Sequence, residues 1–546
     1  MRATWTAGLA TMLMLWAGVG AVRASTVGVF YDPFDNVGAG PNPYQSIRTD
    51  QGAVDNVAVG FVPMPGLTSG SSNVAVGNDV FTFIDVGSQN VGVGTSALSD
   101  IQSAVGATAV GYQALMSNLV SNVTAVGSAA LRANTTGTGN TALGASALAA
   151  NTTGFQNTAA GTSALAASTG NYNSALGYQA LLANQDGASN VAIGRQALLS
   201  NLSGSQNTAT GVNALLANTS GTYNEATGYQ ALLHNTTGAR NAAMGGNALL
   251  NNTSGGENVG IGDQALFTNT TGASNVAVGV DALHNTTTGS SNAAMGWQAL
   301  YANTTGGFNA ALGQNALRQN TTGQSNVAVG PNALYNTRAA GSNTAVGRSA
   351  LLNNISGAGN TGLGYTALYN ATGQTNTALG TAAGYNLTTG SNNVAIANQG
   401  VAGDSGRIRI GTAGTQTAAF VAGISGVSIA GPALPVLVNA SGQLGTATSS
   451  SAALKTDIRP IAGRRARAVL DLRPVSYRYR SGGSMQYGLI AEQVAKIMPT
   501  LVQRDTRGRV AGVYYEQLST LLLAETRRQA KQIKQLERRM RRLETR

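Results

Sequence analysis

The sequence predicts a mainly β fold: a parallel β-solenoid of about 17 residues per coil, followed by a small α+β domain that ends in a coiled-coil helix. Three observations carry the prediction. The tract Asn-x-Ala-x-Gly recurs at Asn56–Gly60, Asn73–Gly77, Asn140–Gly144, Asn190–Gly194, Asn275–Gly279 and Asn326–Gly330, among others, at nearly constant spacing. The composition, with 72 Gly, 5% aromatic and 10% charged residues, is that of a repetitive chain and not of an ordinary globular enzyme. Finally, the charge is segregated: residues 1–450 hold about 11 Arg, no Lys and about 13 acids, whereas residues 451–546 hold about 21 basic and 8 acidic side chains.

Taken in chain order, residues 1–24 read as a secretory signal. Arg2 precedes an apolar stretch from about Ala7 to Val22, and small residues at Val22 and Ala24 precede a cut before Ser25. The chain is therefore expected to be exported, secreted or at a cell surface, with no membrane-spanning segment after signal cleavage. Cys is absent, which rules out disulfides and thiolate metal sites.

An N-terminal segment, 25–51, leads into the repeats at 52–400. The motif Gly falls at 60, 77, 94, 111, 127, 144 and onward to 380, with Ala397 closing a series of about 21 units. Three steps, to 127, 177 and 380, are one residue short, and connecting loops are the expected place for such losses. The consensus is roughly N-x-A-x-G-x-x-A-L-x-x-N-T-T-G-x-x. Its first five residues suit a strand and the Asn-Thr-Thr-Gly corner suits a turn, while the Ala-Leu segment fits a second strand or a helical turn equally.

The residue before each motif Gly, as in Val59, Leu143, Ile193, Met244, Val278, Leu312 and Val346, is nearly always apolar. It is expected to line a shared core with the Leu of Ala-Leu, and the small third position to mark a close backbone approach. The second position accepts Glu225 and is expected near solvent. Stacked Asn residues are expected to form amide ladders, in a rod on the order of 100 Å long at about 4.8 Å per coil.

These repeats resemble the parallel β-roll heads of trimeric autotransporter adhesins, whose repeats also run Asn-x-Val/Ala-x-Gly. The resemblance implies three chains side by side. The Asn-x-Thr triplets at Asn134 and Asn303 match a glycosylation acceptor but are explained by the recurring turn. Nothing gives His234 or His284 a metal or catalytic role. The scattered acids Asp186, Glu225, Glu257, Asp263 and Asp281 lack the pairing that glycoside cleavage needs, which leaves a carbohydrate-active fibre as the alternative function.

Residues 401–449, rich in Gly, Ala, Ser and Thr, read as a neck. Beyond them lie Leu454-Lys-Thr-Asp-Ile-Arg-Pro-Ile461, Leu470-Asp-Leu-Arg-Pro-Val-Ser-Tyr-Arg-Tyr479, Tyr487-Gly-Leu-Ile-Ala-Glu-Gln-Val-Ala-Lys-Ile-Met-Pro499 and Val513-Tyr-Tyr-Glu-Gln-Leu518. In this order they resemble the C-terminal intramolecular chaperone of phage endosialidases and tail fibres, assigned here to 450–515. The resemblance implies a homotrimer, and release by cleavage before a Ser that works with a nearby Lys. Ser450 and Lys455 fall on the nucleophile and base positions, while the family Asp and Arg are replaced by Ser451 and Ala453. Without Cys or His in this region, a Lys with a pKa lowered by burial is also the plausible activator on chemical grounds.

Residues 516–546 read as a helix whose Ile533, Leu536, Met540 and Leu543 suit coiled-coil core positions. Neither cofactor nor metal is expected. The partners are other copies of the chain, with a surface receptor or glycan left open. The basic tail is read as a solvated helix face and not as a nucleic-acid site.

Overall fold

A computed structural model describes residues 28–40, 52–422, 424, 435–439, 441–446, 452–461, 463–505 and 507–545. The expected signal, residues 1–24, lies outside them. The chain divides into two compact units, residues 1–419 and 420–546.

The first unit is a parallel β-solenoid of about 21 turns with about 17 residues per turn. Its single sheet has 24 strands, most of them three residues long. The first, β1 (Gly28–Tyr31), pairs antiparallel with β2 (Val37–Gly40). From β2 the pairing is parallel, coil upon coil, to β24 (Ile408–Ile410). The repeat thus acquires a strand on each side of residues 52–400.

One coil explains the rest. In β11 (Val191–Ile193), paired in register with β12 (Thr208–Thr210), Ala192 is buried, Val191 half-buried and Ile193 exposed. Side chains alternate across a strand, so Asn190 and Ala192 point into the coil and Ile193 points out. This corrects the expectation that the residue before the motif Gly lines the core: Leu143, Met244 and Leu312 are likewise exposed. In most coils the core consists of the third-position Ala together with Ala197, Leu198 and their counterparts, all buried, while the first coils also bury Met64, Leu67, Phe81 and Ile84. The third position leaves little room. At Gly260, a third-position residue, an added Cβ would lie 3.3 Å from the Ala265 carbonyl oxygen and 3.4 Å from Leu249.

The Ala-Leu segment is neither strand nor helix but a run of turns in which Gln196 and Leu198 have φ of 58° and 52°. Left-handed backbone costs a bulky residue about 1–2 kcal/mol. Burying a leucine returns about 1.5–3 kcal/mol, and the Leu198 N–H also donates to the Ala214 carbonyl of the next coil at 3.0 Å. The balance favours the strained conformer.

The motif Gly is required by space. Gly211 has φ 137°, and a Cβ there would sit 2.3 Å from the Gly228 carbonyl oxygen. The three shortened coils keep strand register, Thr108 opposite Thr124, Thr158 opposite Ser174 and Thr361 opposite Thr377. Each loses its residue in one corner: five positions separate Ser168 from Asn173, against six from Asn151 to Asn157.

The second unit has a small core of Val469, Leu472, Val494, Met498, Leu501, Val502 and Val513. In chain order the unit has hairpin β25 (Leu437–Val438) with β26 (Leu444–Gly445), α1 (Arg464–Arg467), hairpin β27 (Val475–Tyr477) with β28 (Gln486–Gly488), α2 (Ala491–Ile497) and hairpin β29 (Val502–Arg504) with β30 (Val510–Val513); α2, β29 and β30 supply Val494, Val502 and Val513 to the core. The terminal helix α3 (Tyr515–Glu544) packs Leu518 and Leu521 on that core and leaves Ile533, Leu536, Met540 and Leu543 exposed.

Candidate functional site

The candidate reactive pair straddles the limit of the described residues. Ser450 lies outside them, as do Ser449 and Ser451. Lys455 lies inside, directly after a 3-10 turn, Ala452–Leu454, which its own N–H closes by donating to the Ala452 carbonyl at 3.2 Å. Its side chain is exposed. The burial expected for Lys455 is therefore not seen among the described residues of a single chain.

Further along the same unit, an open groove of about 820 Å³ runs between the start of β27 and α2. Leu472, Val475, Leu489 and Val494 line it together with Asp471, Arg473 and Lys496. Elsewhere in the unit, Glu525 of α3 is buried and accepts from Arg528 at 2.6 and 2.7 Å and from Gln529 at 3.1 Å. The hydrogen bonds from Arg528 hold its carboxyl below the ordinary glutamate range.

Residues 450–503 match the family model described as chaperone of endosialidase. This segment is a chaperone-of-endosialidase domain. The match covers Ser450, Lys455, the groove and α2, and it lies C-terminal to the solenoid, beyond residues 411–449. No curated protein and no solved structure matches the chain.

Outside the chaperone domain, the solenoid's polar groups are engaged structurally. The Asn190 N–H and Nδ2 both donate to Asn173 Oδ1, at 3.0 and 3.2 Å, and Nδ2 also donates to the Gly204 carbonyl at 2.8 Å. Asn201, at the corner, donates to Asn184 Oδ1 at 2.7 Å and to the same Gly204 carbonyl at 2.8 Å. Two buried amide ladders are thus joined at each such corner glycine. Asn134 and Asn303 belong to the corner ladder and are fully buried, so neither of these two amides is accessible for glycosylation in the folded rod.

The acids fare similarly. Glu257 faces Arg240 at 3.8 Å and accepts from Ser274, and Asp281 accepts from Gln298. His284 stacks between Phe267 and Tyr301, at 5.0 and 5.1 Å, with its ring nitrogens beside Asn285 and Gln264. His234 is exposed. Among the described residues no cluster of His, Asp or Glu could hold a metal.

Sequence reasoning missed the column that contains His284. Phe267, His284, Tyr301, Arg318 and Tyr335 follow the Ala-Leu of successive coils and stack into one spine, with the Arg318 guanidinium 5.2 Å from the Tyr301 ring and 5.8 Å from that of Tyr335. The 17-residue recurrence at that position was the available signal.

Proposed function

We propose that this chain is an exported fibrous surface protein, structural or adhesin-like, whose chaperone-of-endosialidase domain drives trimeric assembly and then releases itself. The observation that carries the reading is the order of parts: a long solenoid of stacked coils, followed by a chaperone-of-endosialidase domain. The only chemistry in the reading is self-cleavage. Ser450 Oγ attacks the Ser449 carbonyl while Lys455 takes the hydroxyl proton. The C–N bond breaks to leave an ester and the Ser450 amine, which receives that proton, and water then hydrolyses the ester. The exposure of Lys455 fits an activation that waits for partner chains to bury it.

A second reading is favoured by Ser451 and Ala453, which stand where the resembled motif has Asp and Arg. In it the domain assists assembly and stays attached. Producing residues 25–546 beside a Ser450→Ala variant, with intact mass and native size measured for both, separates the two. A fragment beginning at Ser450 in the unaltered chain alone supports cleavage, and two intact trimers support the attached form. A monomer in both cases overturns the assembly reading.

A further inference from the structure

The residue before each motif Gly poses a question that one copy of the chain does not answer. From Val59 to Ile396 it is Val, Leu, Ile or Met in every coil except those of Ala160, Thr210 and Thr227, and it is never charged. The fold nevertheless turns it outward: Leu176 is 55% exposed, Met295 52% and Met244 50%. Packing within the coil cannot account for its apolar character, because Asn and Ala occupy the inward positions of the same strand. The neighbouring outward column, the second strand position, carries a single charge, Glu225. Beside the strip stand Tyr112, Tyr178, Tyr229 and Trp297, each directly after a motif Gly and about half exposed. A charge-free, largely aliphatic strip that includes two Met, with Tyr and Trp beside it and three charges in that flanking column, Arg195, Asp263 and Arg348, has the composition of the buried core of a protein interface with a polar rim.

We infer that this outer sheet face is the surface along which copies of the chain pack side by side, coil against coil. The inference rests on the assembly reading above and adds the face that performs it. The occupant must present apolar surface at the same rise over the whole length of the solenoid, and a second copy does so by construction. Eleven side chains of the column are more than about a third exposed. Together they offer on the order of 800 Å² per copy, one partner's share of a standard stable interface.

The absence of cysteine provides a clean test. Met244→Cys and Met295→Cys are introduced singly into the chain from Ser25 to Arg546, with Thr237→Cys and Thr288→Cys, on exposed corners, as controls. Native mass is measured first, then the rate of maleimide labelling. The expected result is an oligomer in which the face cysteines label at least tenfold more slowly than the corner cysteines, with the difference lost when the oligomer is dissociated. An oligomer whose face cysteines label as fast as the corner ones overturns the inference and leaves assembly standing. A monomer overturns both.

Discussion

At the scale of single residues, the fold depends on who donates to whom. Asn151, Asn269 and Asn320 have buried side-chain oxygens without a hydrogen-bond partner. Each stands one coil before a replacement in the corner ladder: Ser168, Thr286 and Thr337 respectively. The shorter hydroxyl side chain does not reach the amide below. Thr286→Asn should therefore supply the missing donor and stabilise its coils by about 1 kcal/mol, whereas Asn235→Ala, which removes a donor to both Asn218 and Gly238, should cost about 1–3 kcal/mol. Gly211→Ala should be worse than either, because it adds left-handed strain to a collision with backbone. Local amide hydrogen exchange reads all three, since a long repeat does not unfold in one step.

At the scale of elements, the stacked spine predicts that Tyr301→Ala costs about 1–2 kcal/mol, because it ends contacts with both His284 and Arg318. Increased exchange confined to the coils around residue 301 is the expected observation. In α3, the pKa of Glu525, depressed by its hydrogen bonds from Arg528 on the same helix, makes the stability of that helix pH-dependent. The contribution is complete above the ordinary glutamate value of 4.5 and is lost as pH falls through the lower folded value. Glu525→Gln should flatten the exchange-versus-pH profile of α3 below pH 4.5.

The repeat period, the corner turns, the Asn ladders and the terminal helix were all legible in the sequence, because each is dictated by spacing or by turn chemistry. The inward and outward faces of the strand were not, because hydrophobicity was taken to mean burial within one chain. The turn geometry at Leu198 was hidden as well: leucine is a poor left-handed residue, and only the ladder and the core make it acceptable there. Of the candidate site, the motif order pointed to the chaperone domain, but the exposure of Lys455 depends on its surroundings and could not be read from spacing.

At the scale of the solenoid, each coil contacts mainly its neighbours, so stability is close to a sum of local terms. Removing one whole coil, residues 224–240, should leave the remaining strands paired and shorten the rod by about 4.8 Å. Removing eight residues from the same place should instead bring an outward residue to an inward position and disrupt the coils on both sides. Circular dichroism and solution scattering on the two deletions distinguish these outcomes.

The antiparallel strand β1 gives this arithmetic a direction. It lies across the edge of β2, where another parallel coil would otherwise stack, and so the interior of the array is where units can be gained or lost without rebuilding an end. Length then becomes a heritable setting: unequal recombination between near-identical repeats can add or remove whole coils, adjusting how far the fibre reaches without inventing any new structure.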